Sequence, residues 1–101
     1  MAVPDINGAW LSKGQLIYII TQVDDRFVWR VVHTNGVTET GIGWFPKMRE
    51  EDMSTAVEAQ WNFSGGRLRA SVRRATGTVT LIGGTATEIK WSDKDDFRRV
   101  P

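Results

Sequence analysis

The sequence contains no cysteine, which excludes disulfide bonds, zinc–thiolate sites and cysteine nucleophiles for this chain. A composition without cysteine is typical of a reducing compartment. The first ten residues, MAVPDINGAW, have neither the basic region nor the long apolar region of a signal peptide. We therefore expect a cytoplasmic protein, with a mature secreted form whose leader has been removed as the alternative.

An excess of charge of one sign and long apolar runs are also missing. Thirteen Lys and Arg residues stand against twelve Asp and Glu residues, so the formal net charge is +1. This balance provides no general attraction to nucleic acid or to anionic membranes. No apolar run approaches the roughly 20 residues that a membrane-spanning helix needs. We expect neither nucleic acid nor a membrane as a partner.

Groups for metal binding and catalysis are few. His33 is the only histidine, and no spacing supplies it with a carboxylate or a nucleophile for catalysis. One histidine without cysteine argues against a transition-metal site. Glu39, Glu58 and Glu88 show no glycosidase-like spacing and are expected on the outer faces of strands. We predict no catalytic residue, no metal site and no cofactor.

What the chain does contain is a long β-hairpin. The runs Leu16 to Val23 and Phe27 to Thr34 are rich in β-branched and aromatic residues, and Asp24 and Asp25 supply the turn. Both faces of the second run are apolar, so its alternation does not decide which face points inward. The face that points outward would carry large apolar groups, which predicts a homodimer or a higher homo-oligomer.

Further short runs with strand patterns follow, separated by tight turns. Val57, Ala59, Trp61 and Phe63 give the clearest period-2 pattern of a half-buried antiparallel strand. The sequence predicts four further turns, and it predicts six further strands beside or between them. The predicted turns are Asn35-Gly36, Ser64-Gly65-Gly66, Thr76-Gly77 and Asp93 to Asp95. The other predicted strands are Ile6 to Leu11, Val37 to Phe45, Arg67 to Arg74, Thr78 to Ile82, Thr85 to Ser92 and Asp96 to Val100.

Eight or nine strands joined by short turns predict an all-β fold. Consecutive strands with short connections form an up-and-down meander, which removes its edges most completely by closing. We therefore predict one domain over residues 1–101, an eight-stranded up-and-down antiparallel β-barrel, with a two-sheet sandwich as the alternative. The one long polar connection, Pro46 to Ser54, is expected to contain a short helical turn around residues 47–52 or to act as a lid.

The segment INGAW at Ile6 to Trp10, with Gly14 shortly after it, resembles the first strand of calycin-type barrels, which include lipocalins, fatty-acid-binding proteins and avidins. The last segment, DDFRRV at Asp95 to Val100, is similar to their final strand. The resemblance implies that Trp10 closes the barrel floor. Under the avidin form of the resemblance, Ser12 and Asp95 occupy positions of polar ligand contacts.

The resemblance to avidins has a limit. The chain is shorter than a typical avidin, and Val32 and Thr34 lie near the positions of that family's polar contacts on the second strand. Biotin is therefore not the expected ligand.

Five tryptophans in 101 residues predict either an aromatic-walled cavity or a core filled by large rings. We favour a non-catalytic barrel whose open end takes a small hydrophobic or cyclic ligand. Its predicted walls are Tyr18, Trp29 and Trp44, and its predicted polar contacts are Ser12, His33 and Asp95. The alternatives are a structural protein that forms a homo-oligomer through an apolar outer face, and a small barrel cyclase or isomerase.

Overall fold

The computed structural model describes residues 3–13, 15–46, 55–64 and 72–100. Within these ranges the regular structure consists of eight strands and no helix. The strands are β1 (Gly8–Ser12), β2 (Ile17–Val23), β3 (Arg26–Val32), β4 (Thr38–Trp44), β5 (Ala56–Ser64), β6 (Val72–Ile82), β7 (Thr85–Trp91) and β8 (Phe97–Arg99). In the part of the chain described here, no helix is long and apolar enough to cross a membrane.

Each strand pairs antiparallel with the next in sequence, and β1 pairs with β8, so the sheet closes on itself. The predicted eight-stranded up-and-down barrel is confirmed, and the sandwich alternative is wrong. In a closed barrel alternate residues of every strand face inward. One end of the barrel carries the connections β1–β2, β3–β4, β5–β6 and β7–β8, and we call it the open end.

The predicted hairpin forms β2 and β3, with Ile20 opposite Trp29 and Asp24 at a φ of 56° in the turn. The structure also decides the orientation of β3: Phe27 and Trp29 are buried inside the barrel, whereas Val28 is exposed. The inner side of β3 is therefore the aromatic one.

Strand β4 leaves room for these rings. Gly41 lies opposite Trp29, and Gly43 lies opposite Phe27. A Cβ atom at either glycine would collide with the facing ring. The two glycines are therefore required because the rings fill the space that side chains on β4 would otherwise occupy.

Two predicted turns differ from the structure. No turn occurs at Thr76-Gly77, because β6 runs through it without a break. Gly77 faces Trp91 in the ladder, and a Cβ there would lie 2.8 Å from the Trp91 ring. This glycine serves packing rather than chain reversal. At Asn35-Gly36 the connection spans residues 33–37, and only Gly36 has a positive φ, 84°, so the two-residue type I′ turn is not formed.

Strands β6 and β7 are joined at Gly83 and Gly84, whose φ values are 59° and 82°. These two residues form a tight hairpin turn between the strands predicted at Thr78 to Ile82 and Thr85 to Ser92. The register then shifts, because Leu81 pairs with Ala86 while Thr80 pairs with Glu88. Thr87 is thus an extra residue, a β-bulge that changes which residues of β7 face inward.

The end of the barrel opposite the open end is closed. Ile6 and Trp10 are fully buried there, and the Trp10 indole Nε1 donates to the carbonyl oxygen of Ile6 at 2.9 Å. Arg99 of β8 covers the ring of Trp10 at 4.6 Å from its centroid. Trp10 therefore has the floor position that the sequence resemblance implied.

Some predictions fall outside the described residues. These are the helical turn around residues 47–52, the lid over most of Pro46 to Ser54, and the greater part of the turn and strand at residues 64–71.

Candidate functional site

A buried carboxylate lies inside the barrel near its open end. Glu39 of β4 has no solvent exposure, and it faces inward because it shares the parity of Gly41 and Gly43. The prediction of an outer-face position for Glu39 is wrong. Glu58 of β5 lies on the outer face, and its carboxylate accepts a hydrogen bond from the Trp44 indole at 2.6 Å.

Four donors surround the Glu39 carboxylate. Its Oε1 accepts from the Tyr18 hydroxyl at 3.2 Å and lies 3.1 Å from His33 Nε2. Its Oε2 accepts from Trp29 Nε1 at 2.8 Å and from Lys94 Nζ at 2.7 Å. A buried charge is tolerated only when it is paired and hydrogen-bonded, and this one satisfies both conditions. The carboxylate is thus a fixed anchor rather than a free base.

Lys94 reaches this carboxylate from the connection between β7 and β8. Its side chain is only 10% exposed, although the neighbouring Asp93 and Asp95 are in solvent. Burial lowers the pKa of Lys94, and the contact with Glu39 opposes this effect. Glu39 therefore stabilises the charged form of Lys94 at this buried position.

Tyr18 is the second perturbed group of the cluster. Burial raises the pKa of its phenol above the usual value, and the charge of Glu39 and the hydrogen bond to it raise it further. The phenol is therefore a neutral donor to the carboxylate. Its ring stacks on Phe97 with centroids 4.4 Å apart, which fixes its direction.

Beneath the polar cluster lies a layer of aromatic rings. The Trp29 ring contacts Trp61 at 6.2 Å, Trp91 at 5.8 Å and Phe97 at 5.7 Å between centroids. Among the described residues, the buried Trp91 Nε1 has no hydrogen-bond partner. A buried donor without a partner costs about 1–3 kcal/mol, so it favours any acceptor that can reach it.

At the rim of the open end, His33 and Phe63 meet edge to face with centroids 5.8 Å apart. Arg73 of β6 lies over the Phe63 ring, 5.8 Å from its centroid. His33 is a quarter exposed, so it joins the buried carboxylate to solvent. The rim is therefore both aromatic and cationic.

The structure brings together most of the predicted site residues. Tyr18, Trp29 and His33 contact Glu39 directly. Asp95 is exposed beside them, and its charge contributes to raising the pKa of Tyr18.

Two predicted site residues have no hydrogen bond or ion pair with Glu39 in the described part of the chain. Ser12 is buried at the end of β1, where its backbone closes the turn to Leu16. Trp44 is separate, because its parity on β4 is opposite to that of Glu39 and places it on the outer face. It therefore does not form a wall of the interior with Tyr18 and Trp29.

Sequence reasoning missed Glu39 and Lys94. A charged residue in an alternating strand is normally assigned to solvent, and Lys94 stands among aspartates that are typical of a surface turn. One signal was available: Glu39 shares its face with Gly41 and Gly43, and paired glycines on one face indicate close packing on that side.

Comparisons with protein-family models, with curated proteins and with solved structures found no match for this chain.

Proposed function

We propose that the barrel is a non-catalytic binding module that takes one small, partly apolar ligand at its open end. The observation that carries this proposal is the position of the Glu39–Lys94 pair, directly above the aromatic layer and next to the exposed rim. Sites for small molecules combine apolar walls with a few placed polar groups. Here Trp29 and Trp61 supply ring surface, while His33 and Glu39 supply polar contacts.

The closed floor supports this direction of entry. Arg99 and Trp10 seal the opposite end of the barrel, and Arg99 also binds the carbonyl oxygens of Asp5 and Asn7. Access from that side would require the N-terminal segment to move. At the other end, Lys94 covers the aromatic layer from the β7–β8 connection, so access there requires this side chain to move.

The same features support a calycin-like assignment as part of the proposal. The barrel is closed and up-and-down, and Gly8-Ala9-Trp10 lies on the first strand with the tryptophan at the sealed end. The burial of Trp10 at this end agrees with the floor role that the resemblance implied for it.

The five indole N–H groups of the protein provide the test, because each gives its own signal in a ¹H–¹⁵N spectrum. We suggest titration with N-phenyl-1-naphthylamine, a neutral aromatic probe. Binding at the open end is expected to shift the indole signal of Trp29 and those of Trp61 and Trp91, which both contact Trp29. The signals of Trp10 and Trp44 are internal controls at the floor and on the outer face.

Shifts confined to Trp44 would move the site to the outer groove that it forms with Glu58, Arg74 and Ser92, and would overturn the proposed location. Saturable binding that shifts no indole signal would also overturn the proposed location. If neither this probe nor ligands of other classes bind, the barrel is not a binding module.

A second candidate function is self-association. Strands β2 to β4 expose Ile19, Val28, Val32 and Ile42 on the outer face, with relative exposures of 54%, 47%, 60% and 46%. Val28 pairs directly with Ile42, so these two side chains are neighbours, whereas Ile19 pairs with Arg30 and Val32 with Thr38. Neighbouring exposed apolar side chains are typical of protein–protein surfaces.

Light scattering over a dilution series tests this candidate. A dimer that dissociates on dilution, and that Ile19→Lys converts to a monomer, would support it. Thr78→Lys, at an exposed polar position of β6, controls for added charge. A monomer at every concentration would contradict it.

A further inference from the structure

The ammonium group of Lys94 lies within a cage of three aromatic rings. Its Nζ is 4.7 Å from the ring centroid of Trp61, 5.0 Å from that of Tyr18 and 6.0 Å from that of Trp29. Each distance is within the roughly 6 Å range of a cation–π interaction. Glu39 completes the cage with an ion pair of 2.7 Å. Ring faces of this kind are how proteins recognise ammonium ligands.

The cage and the cation come from different parts of the fold. The four cage residues lie on β2, β3, β4 and β5, where ladder hydrogen bonds hold them. Lys94 lies in the middle of the β7–β8 connection. Among the described residues, the side-chain hydrogen bonds of this connection, apart from the contact of Lys94 with Glu39, involve its two ends, Ser92 with Thr76 and Asp96 with Trp91. The lysine can therefore leave the cage by a loop movement that leaves the barrel intact.

The charge around the cage favours a cation in place of Lys94. Glu39 and Asp95 stabilise the charged form of Lys94, whereas Arg73 disfavours it. Among the described residues that affect the charge of Lys94, two carboxylates and one guanidinium remain without the lysine, so these groups leave an unbalanced negative charge at the cage. A buried carboxylate without a counter-ion is strongly unfavourable, which provides the driving force for a replacement cation.

We propose that this cage is a binding site for an organic ammonium ligand, and that Lys94 occupies it as an internal substitute. The inference rests on the proposed function and names its ligand class: a primary or methylated amine on a short alkyl arm. The lysine lowers the apparent affinity for the ligand, because only the fraction of molecules with an empty cage can bind.

Propylammonium tests the inference, since it has the atoms that Lys94→Ala removes beyond Cβ. Calorimetric titration is expected to show binding to Lys94→Ala that is about ten- to a hundredfold tighter than to the wild type, if the lysine fills the cage for about 90–99% of the time. The indole signals of Trp29 and Trp61 should shift on binding, and that of Trp44 should not.

Two matched controls identify the interaction. Propan-1-ol has the same size without charge and is expected not to bind Lys94→Ala detectably. Lys90→Ala removes an exposed lysine of β7 and should retain wild-type behaviour towards propylammonium. Adding Glu39→Gln to Lys94→Ala is expected to weaken propylammonium binding by about tenfold or more, because the charge partner is lost.

A second measurement keeps the test decisive if Lys94→Ala is poorly folded. A ligand that binds only the folded state raises Tm, so propylammonium should raise the Tm of this variant more than propan-1-ol does. Lys94→Gln, which keeps most of the stem without the charge, should also bind propylammonium more tightly than the wild type.

The possible results separate the two proposals. Equal binding of propylammonium and propan-1-ol, or no propylammonium binding to either Lys94 variant, overturns the ammonium site. If N-phenyl-1-naphthylamine still shifts Trp29 and Trp61 in that case, the binding module is retained with a different ligand class. If that probe also fails, both proposals fall.

Discussion

The guanidinium of Arg99 lies 4.6 Å from the ring centroid of Trp10 and joins the last strand to the first at the closed end. The same group donates hydrogen bonds of 2.7–2.8 Å to the carbonyl oxygens of Asp5, Asn7 and Ala86. One planar side chain thus connects the N-terminal segment with β7, β8 and the floor. A compact ammonium could not reach all three carbonyls in this geometry.

Arg99→Lys is therefore expected to lower the free energy of unfolding by about 1.5–3 kcal/mol. Urea denaturation followed by tryptophan fluorescence measures the change. Arg98→Lys is the matched control, because Arg98 is 80% exposed on the adjacent position and should change stability by no more than about 0.5 kcal/mol. Equal effects of the two substitutions would contradict the role of Arg99.

Gly41→Ala is expected to destabilise the barrel by about 1–3 kcal/mol, because its Cβ would overlap the Trp29 ring and force overpacking. Thr40→Ala, at the exposed neighbouring position, controls for strand propensity. Trp29→Phe removes the part of the ring that the Cβ would meet. The double substitution Gly41→Ala with Trp29→Phe should therefore cost less than the sum of the single changes. Strict additivity would show that the two positions do not share this space.

Tyr18 gives a pH prediction that is easy to observe, since it is the only tyrosine. Its raised pKa means that the phenol is protonated in both the folded and the unfolded state below the ordinary value of 10.0. As the pH rises through this value, the unfolded chain releases the proton while the folded barrel keeps it, so stability falls.

Ultraviolet titration of tyrosinate is expected to show ionisation at a higher pH in the folded protein than in urea. Tyr18→Phe should remove this absorbance change and the corresponding loss of stability at alkaline pH. The same ionisation pH in both states would contradict the buried contact with Glu39.

Because Glu39 and Lys94 form a buried pair, we expect their single substitutions to lower the free energy of unfolding by unequal amounts. Lys94→Met leaves a buried carboxylate without its counter-ion and should cost about 3–5 kcal/mol. Glu39→Gln should cost less, because the lysine lies on a connection and can turn to solvent. The double variant is expected to be more stable than the sum of the two losses predicts, as a double-mutant cycle in urea would show. A coupling energy near zero would mean that the two groups do not depend on each other.

Local pattern was enough to establish the strands and the fold class. The alternation of Val57, Ala59 and Trp61 identified β5 together with its inner face, since all three are buried. Asp24 and Asp25 placed the turn of the hairpin correctly. Short connections between successive strands leave an up-and-down order as the simplest pairing, and closure follows from the need to remove sheet edges.

The site was only partly accessible from the sequence. Tyr18, Trp29 and His33 were selected as polar or aromatic residues near one end, and they do meet. The carboxylate that joins them was assigned to the outside, because residue type alone argues for exposure of a glutamate. Its inward position follows from the face of β4 that the closed barrel buries, and its partner Lys94 is distant in sequence.

Alternation along a strand separates two faces but does not say which face is inside when both are apolar, as in β3, or when glycines stand on the inner one, as in β4. That choice was made by the closed barrel, where Trp29 and Phe27 need the space over Gly41 and Gly43. The sequence by itself thus determined the fold class, the up-and-down order of the strands and the turns at Asp24-Asp25 and Asp93 to Asp95. Only the tertiary structure decided the inner face of β3 and β4, the bulge at Thr87 and the pairing of Glu39 with Lys94, because each depends on contacts between strands rather than on neighbours along the chain.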